Sequence, residues 1–291
     1  MIAPSLQKYW DGRAAGNFVF GGAGSGLIIS TAIATPFNTA SMSAALLIGA
    51  CLIALGLLLV WFEIGRPLRF INVLRNPYTS WMSREAWTAI VLLPLTLAAF
   101  ALPTRGLVIP AAFVALLFLY CQARILRASA GVPTWRQRGT MALIVTTGLT
   151  EGAGLYLLLY ATGLIDVLSL PIPLLITAVL FIGGRYATWR SWLHELQGNA
   201  PTESLSVMRT FAKQFIVVGH LLPIVLIVVA WLIPAISDIV LAVSGVLVLL
   251  SGWTFKTRLI LSASHIQGFA IEHTPARGGG RSGPGVKPGW S

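Results

Sequence analysis

The chain has 291 residues, of which 56% are hydrophobic and only 10% charged, with a mean hydropathy of +0.81 and a formal net charge of +11. Average soluble proteins carry roughly 25% charged residues, so a water-soluble globule is excluded: no such fold hides this much apolar surface. The basic residues flank greasy runs, which argues against nucleic acid as a partner. It points instead to membrane lipid, at an anionic inner leaflet that attracts each such residue by about 1 kcal/mol.

A helix needs ~20 apolar residues to cross a bilayer. Eight runs qualify: Ala14–Pro36, Ser43–Trp61, Ala86–Leu102, Leu107–Ala123, Thr140–Gly163, Val167–Gly184, Phe215–Ala235 and Ile239–Phe255. The pattern predicts an all-α integral membrane protein, a bundle of eight transmembrane helices formed by residues 1–270. Lys8 and Arg13 precede the first span. Four arginines (66, 69, 75, 84) lie between the second and third, and four more (124, 127, 136, 138) between the fourth and fifth. Arg185, Arg190, Arg209 and Lys213 are read as following the sixth span, and Lys256, Arg258, Arg277, Arg281 and Lys287 as following the eighth. Only Arg105 falls on the other side. The positive-inside rule then puts both termini in the cytoplasm. The opposite connections, around Asn38, Arg105, Asp166 and Asp238, read as tight turns.

The first span lacks a clean small-residue cleavage site and is expected to be a retained signal anchor. It is rich in glycine (Gly16, Gly21, Gly22, Gly24, Gly26). Helix packing accounts for these residues, as does a flat ring lying against them. Asn17 lies about one turn inside its cytoplasmic end. Between the second and third spans, Glu63–Trp87 combines four arginines, two carboxylates, two prolines, two tryptophans and a tyrosine, a composition suited to a shaped docking surface. Glu63 and Glu85 bracket it. They read either as interfacial carboxylates paired to Arg66 or Arg84 or as proton acceptors at a pocket mouth. Tyr120 and Arg124 share a face of the fourth span by their i, i+4 spacing. Asn17, Glu63, Glu85, Tyr120 and Arg124 therefore fall at one membrane level.

Charge within hydrocarbon is costly, so Glu151, mid-way along the fifth span, is either protonated or faces a polar seam. A proton relay and a hydrogen bond to another helix both fit it. His220 is the one histidine firmly inside a span, so the chain cannot supply the axial pair that a membrane haem b needs. Cys51 and Cys121, on different spans, read as small packing residues. No Walker motif, nucleophile elbow, zinc signature or cysteine cluster occurs, and no metal site is expected. Residues 271–291, rich in Gly, Pro and Arg, are expected to form a flexible cytoplasmic tail.

Glu63-Ile-Gly-Arg-Pro-Leu-Arg-Phe-Ile-Asn-Val-Leu, Ser80-Trp-Met-Ser-Arg-Glu85, Arg124 with Val132-Pro-Thr-Trp135, and the glycine-rich first span together resemble the NrfD/DmsC family. These are membrane anchor subunits of molybdenum–iron–sulfur oxidoreductases. The resemblance implies a quinone-binding subunit, for menaquinone or ubiquinone, of an oxidoreductase complex in a bacterial or archaeal cytoplasmic membrane. Electrons would come from a ferredoxin-like iron–sulfur subunit docked on Glu63–Trp87, and a separate molybdopterin subunit would carry the substrate chemistry. Residue by residue, Glu85 matches the carboxylate implicated in quinol binding. Glu63 stands where relatives often have histidine, Asn17 where polysulfide reductase has a quinone-contacting histidine, and Tyr120 near the family's pocket tyrosine. Glu85 and Glu63 are thus the implied proton carriers. Asn17, Gly21, Gly22, Tyr120 and Arg124 are the implied ring contacts. The cytoplasmic connector favours the sulfite-dehydrogenase and phenylacetyl-CoA:acceptor branches. A secondary transporter with Glu151 and His220 on its path, or a purely structural anchor, are the rival readings. Against the transporter stand the lack of internal repeats and the one-sided polar surface.

Overall fold

The computed structural model describes residues 3–34, 42–64, 67–165 and 172–267. Arg66, the turns expected at Asn38 and Asp166, and the 271–291 tail lie outside them. The chain is an all-α membrane bundle. Its spans are α1 (Gly12–Ala34), α2 (Met42–Glu63), α3 (Trp81–Ala101), α4 (Arg105–Ala128), and, after the short α5 (Pro133–Arg136), α6 (Gly139–Ala161) and α7 (Ile172–Glu195). The seventh crossing is a continuous run of α8 (Thr202–Ile216), a π turn (Val217–Leu221) and α9 (Leu222–Leu232). The eighth is α10 (Ser237–Leu261), entered through a 3-10 turn at Pro234–Ile236.

Helix α1 is the axis. Of its apolar window 78% is buried, against 67% for α6 and 28–44% for the other spans. Its glycines explain this. A methyl group on Gly26 would overlap the Gly148 carbonyl of α6, and one on Gly152 would overlap the Gly26–Leu27 backbone. On the α2 side, a methyl group on Gly24 would come within 2.6 Å of the Gly49 carbonyl. With no solvent-driven force between helices in lipid, such close backbone contact is what gains dispersion energy.

The first and last described segments meet. Strand β1 (Ser5–Leu6) pairs antiparallel with β2 (His265–Ile266), Ser5 opposite Ile266 and Leu6 opposite His265. The Gln7 amide donates to the Trp10 and Ile260 carbonyls, at 2.8 and 3.2 Å. The last carbonyls of a helix have no partner within it. Here Trp135 Nε1 donates to Leu259 O at 2.9 Å, and just beyond the helix Thr134 Oγ1 donates to Ala263 O at 2.9 Å. The Val132–Trp135 motif therefore holds the end of α10.

Two basic residues are relocated relative to the sequence reading. Arg185, read as following the sixth span, is fully buried inside α7, which runs on to Glu195. Lys256, read as following the eighth, is fully buried inside α10. Both charges ended an apolar run in the sequence, yet neither ends a helix, because each finds its partners inside the bundle.

Candidate functional site

The first four helices enclose a cleft at the end of the bundle that carries the β1–β2 pair and the described part of the Glu63–Trp87 connector. Its cavity volume is about 160 Å³, and it is lined by Asn17 and Phe18 of α1, Val60 and Glu63 of α2, Met82 and Glu85 of α3, and Ile125 of α4, with Trp10 beside them. Asn17 and Glu85 are buried, at 3% and 4% exposure, whereas Glu63 is only partly buried.

Local structure fixes these groups. A 3-10 helix spans Pro67–Arg75, and Ser80 caps α3 by accepting from the Ser83 N–H at 3.3 Å. That cap sets the helix phase: Met82 and Glu85, three residues apart, both reach the cleft. Ser83 Oγ donates to the Val73 carbonyl and Trp87 Nε1 to the Leu74 carbonyl, which fastens the connector to α3. On the other rim, Arg13 is bonded to Asp11 at 2.7 Å and donates to the Phe62 carbonyl at 2.7 Å, beside Glu63. The hydrogen bonds from Arg13 hold the Asp11 carboxyl below the usual carboxylate range.

Asn17 Nδ2 donates to Glu85 Oε1 at 3.1 Å, and Gln122 Nε2 donates to the Asn17 backbone carbonyl at 2.9 Å. Among the described residues, Asn17 Oδ1 and Gln122 Oε1 are buried acceptors with no donor. An unmet buried polar atom costs about 1–3 kcal/mol, so a hydrogen-bond donor reaching either oxygen would be stabilised. Sequence reading missed Gln122. The available signal was a lone amide in an otherwise apolar stretch of the fourth span, two residues from Tyr120.

Of the residues expected here, Asn17, Glu63 and Glu85 come together. Gly21 packs on Phe118 and Gln122, behind the cleft, and Gly22 packs on Lys256. Tyr120 and Arg124 lie outside it: Tyr120 sits edge-on to Trp81 with ring centroids 5.8 Å apart, and Arg124 Cζ lies 4.4 Å from the Trp81 ring centre. Helical phase is the reason. On α4 the residues Phe118, Gln122 and Ile125 turn inward, which carries 120 and 124 to the other side.

The buried charges form a separate set. Lys256 Nζ donates to Glu151 Oε2 at 2.6 Å and to the Phe18 carbonyl at 2.8 Å, with both side chains fully buried. Pro223 has no N–H to return to the Gly219 carbonyl four residues earlier, and Arg185 Nη2 donates to that carbonyl instead. Arg185 Nε donates to His220 Nε2 at 3.1 Å, while His220 Nδ1 meets the Phe215 carbonyl at 2.8 Å. A guanidinium only donates and a carbonyl only accepts, so His220 is neutral with its proton on Nδ1. Glu151 and His220 are thus each tied to a buried cation. The π turn places the histidine for that contact.

Cys121 is buried, 3.9 Å from Thr88 Oγ1, and Cys51 is exposed; both are free thiols. Among the described residues no cluster of histidine, cysteine and carboxylate side chains has metal-site geometry. No protein-family model matches the sequence, and no curated protein matches it.

Proposed function

We propose that this chain is the quinone-reactive membrane subunit of a molybdenum–iron–sulfur oxidoreductase, similar in role to the NrfD/DmsC anchors. The observation that carries this reading is the buried Asn17–Glu85 pair, with the Asn17 amide oxygen unmet, in a cleft opening next to the aromatic–arginine connector. The fit is chemical as well as spatial. A volume of about 160 Å³ lies below the ~300–1,000 Å³ of ordinary ligand pockets, which suits a single flat head group whose tail stays in lipid. The Asn17 amide oxygen would accept from a hydroxyl of the reduced head, and the Asn17 amide N–H and a protonated Glu85 would donate to a ring oxygen of the oxidised one.

A bound quinone supplies two-electron, two-proton redox chemistry of its own. Glu85 holds one exchangeable proton at the buried wall, oriented by Asn17 Nδ2. Glu63, at the rim, faces water and returns protons to the cleft. Phe18, Ile125 and Trp10 exclude water from the inner wall. Phe70, Ile71 and Tyr78, exposed on the connector between Arg69 and Arg84, offer the apolar and cationic face that a ferredoxin-like iron–sulfur partner would cover. The molybdopterin subunit would dock through that partner. Sidedness follows from charge: with Arg185 and Lys256 moved into the bundle, Arg105 is still the only basic residue at the far end. In this reading the partners are cytoplasmic, and so is the membrane face that carries the connector.

The test is Glu85→Gln in the whole complex. Quinone-linked turnover should fall about 10²–10⁴-fold, the worth of a positioned proton carrier, while substrate oxidation with an artificial dye acceptor holds. Equal loss of both activities would mean failed assembly, and unchanged quinone turnover would remove Glu85 from the reaction.

A further inference from the structure

At the outer side of α3 and α4, away from the cleft, three guanidiniums crowd one indole and one thioether. Arg84 Cζ lies 4.0 Å and Arg124 Cζ 4.4 Å from the Trp81 ring centre. Arg127 Nη1 donates to Met141 Sδ at 3.1 Å, and Arg124 Nη1 lies 3.8 Å from the same sulfur. Only Arg84 has good acceptors, the Pro77 and Tyr78 carbonyls, at 2.6 and 2.7 Å. Thioether sulfur is a weak acceptor, and Arg124 Nε is buried with no partner at all. Among the described residues no carboxylate forms an ion pair with any of the three; the two ion pairs present are Arg13–Asp11 and Lys256–Glu151.

Guanidiniums gathered without a counter-charge need an anion. The level of the cluster says which kind. Trp81 opens α3 and Arg127 lies in the last turn of α4, so the cluster sits at the membrane–water boundary. The same outward face of α4 continues into the membrane as Tyr120, Leu117, Leu116 and Phe113, all exposed. That is a row of apolar side chains at helical spacing directly beneath three positive charges. We propose that Arg84, Arg124 and Arg127 bind the phosphate of one anionic phospholipid, with Trp81 and Tyr120 at its glycerol level and an acyl chain along Phe113–Leu117. The site does not depend on the redox reading, since it shares no side chain with the cleft.

The experiment uses the full chain, purified in detergent and stripped of lipid. It is titrated with phosphatidylglycerol, with phosphatidylethanolamine and with inorganic phosphate. Retained lipid is counted by native mass spectrometry, and the thermal unfolding midpoint is followed in parallel. Phosphatidylglycerol should be retained by the wild type at one copy and raise its midpoint, and should do the same for Arg209→Gln, a basic residue exposed on α8 that controls for general charge. Arg127→Gln should bind it several-fold more weakly, and Arg124→Gln/Arg127→Gln at least about tenfold more weakly, as two lost charge-assisted contacts require. If the double variant does not fold, Arg127→Gln decides alone, because among the described residues its side chain donates only to the weakly accepting Met141 sulfur. Equal retention of phosphatidylethanolamine, a response to inorganic phosphate alone, or wild-type affinity in Arg127→Gln would each overturn the assignment.

Discussion

Removing Lys256 tests the buried charge pair most directly. In Lys256→Met, Glu151 keeps a carboxylate enclosed by α1, α6 and α10 with no cation in contact, and its Oε1 is already without a partner. The pair is tightly packed: a methyl group on Gly252 would come within 2.5 Å of Glu151 Oε1, and one on Gly22 would overlap Lys256 Nζ. Breaking a buried pair by deleting one partner costs about 3–5 kcal/mol. The Phe18 carbonyl adds little to this, because its helical N–H partner remains. Glu151→Met should cost a similar amount by stranding the ammonium. The double variant Lys256→Met/Glu151→Met removes both charges at similar volume and should lie within about 2 kcal/mol of the wild type, because the desolvation penalty disappears with the attraction. The coupling energy between the sites is then at least about 4 kcal/mol. Unfolding the four proteins with a denaturing detergent, followed by helical circular dichroism, measures it. Single-variant losses under about 1 kcal/mol, or simple additivity, would show that the pair is solvated and that this account of Lys256 is wrong.

Three further changes probe separate parts of the structure. Gly152→Ala should drive the α6 backbone from α1 at Gly26, costing about 1–3 kcal/mol by overpacking, whereas Gly183→Ala, with open space around it, should be close to neutral in the same unfolding assay. Trp135→Phe keeps the ring but strands the Leu259 carbonyl, so the C-terminal turn of α10 should show faster amide exchange and a loss of about 1 kcal/mol. Asn17→Leu removes the donor to Glu85 while preserving bulk. It should weaken binding of a quinone analogue about tenfold or more, read by protection from photo-cross-linking to α1–α4, and leave Lys256→Met-type stability losses absent.

Much of the fold was legible because hydrocarbon imposes a simple rule: every backbone polar group must be satisfied locally, so long apolar runs become helices. All eight appeared, and the glycine-rich first run became the axis. Run ends were less legible. Arg185 and Lys256 broke the hydropathy of α7 and α10 without breaking either helix. The candidate site was half legible. Asn17, Glu63 and Glu85 could be gathered by depth alone, since each lies near the same end of its span. Tyr120 and Arg124 share that depth but not the direction.

Composition and charge pattern by themselves determined a helical membrane protein with eight spans and its polar surface at one end, because both follow from partition between water and lipid along one dimension. Which side chains meet around the axis of the bundle was decided only by packing. Rotation of each helix about its own axis depends on where glycines let backbones touch, and no single span carries that information. Hence the partners of Glu151, His220 and Arg124 emerged with the tertiary structure, while the depth of each was already written in the chain.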